Sequence, residues 1–199
     1  MNSHQIRFDE DLVRRYDRSG PRYTSYPTAV QFSDRFRVDE YRAVALASNQ
    51  DPIPRPLSLY VHIPFCSSPC FYCGCTKVIT RNHEKAEAYL YRLHREIELQ
   101  SQLYDRDREV EQLHFGGGTP TFLTSLEIDR LIEKLGSHFK LSNNPGREYS
   151  IELDPRTITR DTLRDLARVG FNRCSLGIQD FDPLVQEAVN RIQIGRAHV

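Results

Sequence analysis

The sequence has no net charge: 27 Lys and Arg balance 27 Asp and Glu over 199 residues. A bulk electrostatic hold on nucleic acid or acidic lipid is therefore not expected, which leaves only a local basic patch for such a role. No run of about 18 apolar residues exists, so no bilayer-spanning helix is expected. The N-terminal stretch, residues 1–15, lacks the apolar segment of a secretory signal. Internal repeats and low-complexity tracts are absent too. Composition, at 39% apolar and 27% charged, excludes collagen-like and disordered chains. A chain of this length buries roughly 70% of its unfolded surface, enough for one substantial core.

A second zinc-type cysteine pair is also missing. There are five cysteines, Cys66, Cys70, Cys73, Cys75 and Cys174, and four of them fall within ten residues. An odd count without a signal segment argues against a disulfide framework and for a reducing, cytoplasmic setting. Clustered thiols there point to metal or redox chemistry, with unrelated buried thiols as the alternative.

The first 56 residues differ from the rest. A charged helix is expected near Phe8–Arg18, an extended Pro/Tyr-rich strap over Pro21–Ala29, a helix near Val38–Ser48 and a proline-rich linker at Asp51–Pro56. From Leu57 strands and helices alternate. Strands are predicted at Leu57–Ile63, Glu109–Phe115, Glu148–Leu153 and Asn172–Ile178. A long helix over His83–Asp105 carries Ala86, Leu90, Leu93 and Ile97 on one stripe. Thr124-x-x-Glu127 is a capping box opening a helix with Ile128, Leu131, Ile132, Leu135 and Phe139 inward. Thr159 can cap the next helix, with Ile158 and Leu163 as a staple and Gly170 as its end, and another helix begins near Pro183. This alternation implies a parallel sheet or a β/α barrel.

The strands alternate in polarity, unlike parallel strands buried on both faces. Tyr60 and His62 share one face, as do Ser150 and Glu152, and Arg173, Ser175, Gly177 and Gln179. The opposite face carries Val61, Ile63, Ile151, Leu153, Cys174, Leu176 and Ile178. The apolar face can take the helices. The polar face can line a ligand cavity or simply face solvent. Polar residues gather at the strands' C-terminal ends, where β/α folds place active sites.

The loop after the first strand reads Cys66-Ser-Ser-Pro-Cys70-Phe-Tyr-Cys73-Gly-Cys75, that is C-x3-C-x2-C-x-C. Structural zinc usually takes two separated pairs. Three thiolates at this spacing can wrap one corner of an iron–sulfur cubane and leave one iron open to a small molecule. A zinc or redox loop is the alternative.

At this point the chain resembles the radical S-adenosylmethionine (SAM) enzymes, through the cysteine spacing and the aromatic pair Phe71-Tyr72 before the third cysteine. Further motifs resemble one family of them, the oxygen-independent coproporphyrinogen III oxidases. These are Arg22-Tyr-Thr-Ser-Tyr-Pro-Thr28, Tyr60-Val-His-Ile-Pro-Phe-Cys66, Cys73-Gly-Cys75, His114-Phe-Gly-Gly-Gly-Thr-Pro120, Ser150-Ile-Glu-Leu-Asp-Pro155 and Gly177-Ile-Gln-Asp-Phe181. The similarity covers roughly residues 8 to 193. It implies a three-quarter β/α barrel and conversion of two propionates of coproporphyrinogen III to vinyl groups, giving protoporphyrinogen IX for haem synthesis. It also implies a four-iron, four-sulfur cluster on Cys66, Cys70 and Cys73, and two SAM molecules.

Residue by residue, the resemblance implies SAM contacts from Tyr60, Tyr72, Gly117, Gly118, Thr119, Glu152, Gln179 and Arg191, with Tyr60 and Cys75 at the reacting centre. Each has a plainer alternative. Tyr60 can fill the barrel floor, and His62 can be a satisfied core histidine. Glu152 can pair with Arg173, and Arg191 can be an exposed helix arginine. Cys75 can be a fourth cluster ligand rather than a radical partner, proton donor or SAM contact. Arg22, Tyr23 and Tyr26 can cover the cavity mouth and meet substrate carboxylates, or serve as a packing strap.

The chain is shorter than a full barrel, which needs about 250 residues. It reads as an N-terminal fragment: an arm at residues 1–56, a partial barrel at 57–193, and a tail at 194–199 that departs from the family and resembles translated sequencing adapter. The fragment alone is expected to be inactive. Expected partners are coproporphyrinogen III and an electron donor of unspecified identity, without nucleic acid or membrane, and the full-length protein is expected to be a monomer. A haem-binding chaperone with the same cysteine loop is the alternative function. A zinc-binding interaction module would leave the glycine loop and the polar barrel face unexplained.

Overall fold

The structure, a computed structural model, describes residues 8–17 and 28–193. The strap residues Arg22, Tyr23 and Tyr26 and the tail at 194–199 lie outside the described residues. The chain divides into two units between Tyr41 and Arg42. In the first, Asp9 caps helix α1 (Glu10–Tyr16) by accepting the Leu12 N–H at 2.9 Å, and Arg14 pairs with Glu10 one turn back. No α1 residue is buried. Helix α2 (Val38–Ala47) crosses the division.

In the second unit the elements run β1 (Leu57–Ile63), β2 (Phe65–Cys66), β3 (Val78–Ile79), α3 (Glu84–Ser101), β4 (Glu109–Gly117), α4 (Ser125–His138), β5 (Lys140–Leu141), β6 (Glu148–Leu153), α5 (Arg160–Arg168), β7 (Arg173–Leu176) and α6 (Pro183–Ala188). The main sheet is parallel, in the order β1-β4-β6-β7, with β5 added beside β4. Successive long strands lie side by side, as in a β/α barrel. Among the described residues the strand order shows no reversal of the doubly wound kind. The α/β class expected from the alternation is the one observed.

Register explains the polarity of the strands. Tyr60, His114, Ser150 and Arg173 occupy one row across the sheet, and Val61, Phe115, Ile151 and Cys174 the next. Val61, Phe115 and Ile151 are buried under the helices, where α3 contributes Ala86, Leu90, Leu93 and Ile97 and α4 contributes Ile128, Leu131 and Leu135. Each fully buried aliphatic side chain of this kind contributes about 1.5–3 kcal/mol. Both caps of the Thr124 box form, and Gly170, at φ +109°, ends the turn after α5.

Four expectations are corrected. Helix α3 stops at Ser101, because the Leu103 N–H turns back to Gln100 O at 3.0 Å and Leu103 enters the core. Strand β7 stops at Leu176, where the Ile178 N–H bonds the Leu176 carbonyl at 3.1 Å and turns the chain. All four β7 residues are exposed, so Cys174 and Leu176 take the helix side of the register without helix cover. Leu163, the proposed staple partner of Ile158, is also exposed. No described helix is long and apolar enough to cross a membrane.

Candidate cofactor site at the C-terminal end of the sheet

The cysteine loop is closed by its own backbone. Strands β2 and β3 pair in parallel, and the Thr80 N–H reaches Cys66 O at 2.9 Å. Within the loop the Cys73 N–H turns back to Cys70 O at 3.1 Å, and Lys77 Nζ donates to Cys73 O at 2.7 Å. The chain after α6 holds the loop from outside. Phe71 N–H donates to Val189 O at 3.1 Å, and Asn190 Nδ2 donates to Pro69 O at 2.7 Å. Asn190 takes a φ of +54° to do so, a region asparagine tolerates better than most residues.

The glycines after β4 fit around this loop. Gly117 has φ +116°, and a Cβ there would lie 2.7 Å from the His62 ring. A Cβ on Gly118 would come within 2.8 Å of the Phe65 carbonyl and 2.9 Å of Cys66 Sγ. Close approach of this chain to itself therefore requires both glycines. The adjoining Thr119 hydroxyl donates to Cys66 Sγ at 3.5 Å.

Above the strand ends lies a cavity of about 280 Å³, near the lower end of small-molecule sites at roughly 300–1,000 Å³. Its walls include Tyr72, Gly117, Gly118, Thr119, Glu152, Gln179 and Arg191, seven of the eight residues expected to bind cofactor. Cys73 and Cys75 line it as well. Cys66 lines a second cavity, of about 360 Å³, on the other side of the loop. Tyr60 lies below the first cavity on the polar face, 59% exposed and stacked on His114 at 5.6 Å.

Glu152 does not pair with Arg173, which pairs with Glu148 instead. Its carboxylate accepts from the Gly117 N–H and from His114 Nε2, both at 3.2 Å. The His114 Nδ1 then accepts from the Ser150 hydroxyl at 2.7 Å. His62 is held between the Tyr60 hydroxyl at 3.1 Å and the Thr76 carbonyl at 3.0 Å. A carbonyl only accepts, so the His62 proton sits on Nε2. Gln179 lies three residues past the end of β7, on the loop that borders the cavity, rather than on the strand. Arg191 is no exposed helix residue: it follows α6, and its side chain is 11% exposed.

The thiols sit among hydrogen-bond donors and cations. Burial pushes the Cys66 thiol up against the opposing pull of the Thr119 hydroxyl. Burial also raises Cys73, but hydrogen bonds from Cys75 and the nearby Lys77 outweigh it and hold Cys73 below the ordinary thiol range. Cys75 is pushed up by burial, by donating to Cys73, and by the Cys73 and Glu152 charges. Cys70 Sγ accepts from Arg191 Nη1 at 3.5 Å and from Arg156 Nη2 at 3.9 Å.

These residues fit an anionic iron–sulfur cluster with an amino-acid ligand. Among the described residues no three His, Cys, Asp or Glu groups converge as they would on a single metal ion. A four-iron cluster takes its thiolates on separate irons. Arg191 Nε is buried without a partner, a donor available to an anion beside the cavity. Glu152 offers the opposite charge across the same cavity, as an ammonium or ribose hydroxyl requires.

Asp154, Arg156 and His114 were not singled out as site residues from the sequence. The available signals were the alternation that puts His114 beside Tyr60 and the Asp154-Pro155-Arg156 run directly after β6. A carboxylate and a guanidinium at a strand's C-terminal end are site candidates in a β/α fold.

The radical SAM superfamily model matches residues 60–196. The chain is 51% identical over 188 residues to the oxygen-independent coproporphyrinogen III oxidase of Pseudomonas aeruginosa, covering 94% of this chain and 40% of that protein. It is 50% identical over 193 residues to the protein of the same name from Salmonella typhimurium, covering 97% and 41%. The solved coproporphyrinogen III oxidase from Escherichia coli, described as a radical SAM enzyme, superposes with a TM-score of 0.78 at 46% identity, covering 95% of this chain and 40% of that one. The chain thus spans about 40% of the length of these relatives.

Proposed function

The chain belongs to the radical SAM superfamily, and we propose that it is the cluster- and SAM-binding part of an oxygen-independent coproporphyrinogen III oxidase. One observation carries this reading: a single cavity is walled by the cysteine loop, the glycine turn after β4, and Glu152, Gln179 and Arg191. The identity to relatives of that name extends over nearly the whole chain and supports the substrate assignment.

Cys66, Cys70 and Cys73 would hold the cluster. When bound, cluster and SAM would together supply one-electron radical chemistry. The chain's own residues bind and orient. Arg191 meets a carboxylate, and Glu152 takes an ammonium or ribose hydroxyl while Gly117 and His114 keep it from rotating. Gln179, Tyr72, Gly118 and Thr119 line the space around the ligand, while Tyr60 stacks on His114 and hydrogen-bonds His62 beneath it. Cys75, exposed at the cavity wall beside Cys73, presents its thiol toward the reacting centre. A second SAM, an electron donor and action as a cytoplasmic monomer complete the proposal.

The test is anaerobic incubation of the protein, at the full length of its relatives, with coproporphyrinogen III, SAM and a one-electron reductant. Formation of protoporphyrinogen IX is expected. Tight haem binding without turnover would replace this reading with the chaperone.

A further inference from the structure

Asp154 stands between the two cavities and lines both. It opens the Asp-Pro-Arg turn at the end of β6, and it is 6% exposed. A buried carboxylate is costly unless paired and hydrogen-bonded. This one is. Arg156 Nη2 donates to Oδ2 at 2.6 Å, Arg156 Nε lies 3.0 and 3.1 Å from the two oxygens, and the Arg156 backbone N–H donates to Oδ1 at 3.0 Å. Arg191 Nη2 approaches the same Oδ1 at 3.6 Å from the first cavity.

Both guanidinium groups also reach one sulfur. Cys70 Sγ takes Arg191 Nη1 at 3.5 Å and Arg156 Nη2 at 3.9 Å. The Arg156 side chain is 23% exposed and lines the second cavity, which Glu152, Gln179 and Arg191 do not line. A SAM in the first cavity therefore does not account for Arg156.

We propose that Asp154 is a positioning residue that holds Arg156 against Cys70 Sγ, and that this N–H···S contact raises the reduction potential of the cluster ligated there. Taking up an electron makes a thiolate-ligated cluster more negative. A fixed cation and donor at a ligating sulfur favours that state, as hydrogen bonds to cluster sulfurs do in general. The fork of Arg156 makes a near-bidentate pair with Asp154 through Nε and Nη2, and that pairing aims the same Nη2 at the sulfur. Burial pushes the Asp154 carboxyl up, but the hydrogen bonds from Arg156 and the Arg191 charge hold it below the usual carboxylate range, in keeping with a permanently charged clamp.

The inference rests on the cluster assignment of Cys66, Cys70 and Cys73, and the experiment separates the two. The protein and its R156Q, R156K, D154N and D154N/R156Q variants are reconstituted anaerobically with iron and sulfide. Iron per chain and visible absorbance are read first, then the midpoint potential by mediated titration without SAM. The expected result is a cluster in every protein and a lower potential in R156Q. The expected shift is about tenfold in the reduction equilibrium, or ~59 mV for one electron. R156K should recover part of it. The R156Q shift should fall by at least half when measured in the D154N background. Wild-type protein that takes up no cluster overturns the ligand assignment and this inference together. A normal cluster with an unchanged potential in R156Q overturns the inference alone. An R156Q shift of equal size with and without Asp154 removes the positioning role, and loss of cluster in both R156K and R156Q makes Arg156 structural.

Discussion

Gly118 and Cys66 are 52 positions apart in sequence, yet a methyl group on the glycine would sit 2.9 Å from the cysteine sulfur. The same methyl would meet the Phe65 carbonyl at 2.8 Å, so backbone as well as side chain would have to move. The glycine turn after β4 thus seats the first cysteine of the loop. Gly118→Ala should destabilise the fold by about 1–3 kcal/mol, the usual cost of overpacking. It should also lower iron uptake on reconstitution. Denaturant melts and iron counting check both effects.

Replacing Cys66, Cys70 or Cys73 by Ala should abolish the cluster, while Cys75→Ala should retain it and impair turnover. Cys75 is exposed and hydrogen-bonds Cys73, so its removal leaves the three other thiols in place. Iron content and visible absorbance give the answer. A Cys75→Ala protein without cluster would mean that the fourth cysteine is a ligand.

Glu152→Gln should weaken SAM binding while leaving the cluster intact. The carboxylate is oriented by Gly117 and His114, and a hydrogen bond to a charged group contributes about 1.5–3 kcal/mol. Gln179→Ala should act in the same direction, more weakly, because its group is neutral. Equilibrium SAM binding to reconstituted protein is the measurement, and unchanged affinity in both variants would assign them a structural role only.

The Thr124–Glu127 box gives a pH prediction. Burial raises the Glu127 carboxyl, but hydrogen bonds from the Thr124 backbone and hydroxyl and from His83 bring it below the usual range. A depressed carboxyl stabilises the fold fully above its unfolded value near 4.3 and loses that contribution as pH falls through the folded value. Glu127→Gln keeps an N3 residue able to cap but removes the charge. Its melting temperature should therefore fall below the wild type's at pH 7 and approach it at low pH. A parallel pH dependence in both proteins would show that the carboxylate charge contributes nothing.

Strand β7 pairs only with β6 among the described residues, and all four of its residues are exposed, with Leu176 at 45%. Unpaired edges with apolar cover missing invite association. This chain expressed alone should self-associate, and Leu176→Lys should raise its soluble, monomeric yield. Light scattering or gel filtration of the two proteins decides.

Much of this was legible in the sequence because it is local. The limits of β1 and β6, the N-terminal capping box of α4, the stripe Ala86–Leu90–Leu93–Ile97 and the cysteine spacing depend on neighbours within a few turns or strand steps. Strand period also assigned the polar face, which placed Tyr60, Glu152 and Ser175 on one side before any register was known. Three things depended on distant partners. The length of β7 was set by the turn in which the Ile178 N–H bonds the Leu176 carbonyl. Gln179 reached the cavity from a loop rather than a strand. Arg156 and Arg191, both paired with Asp154, converged on Cys70 because parallel pairing brings the end of β6 to the loop after β1, and the chain after α6 folds back onto that loop. The sequence by itself determined the periodic elements and the thiol spacing, since both are properties of short segments. Only tertiary structure decided which charges face which sulfur, because that depends on register and crossover, set by burial of the apolar face.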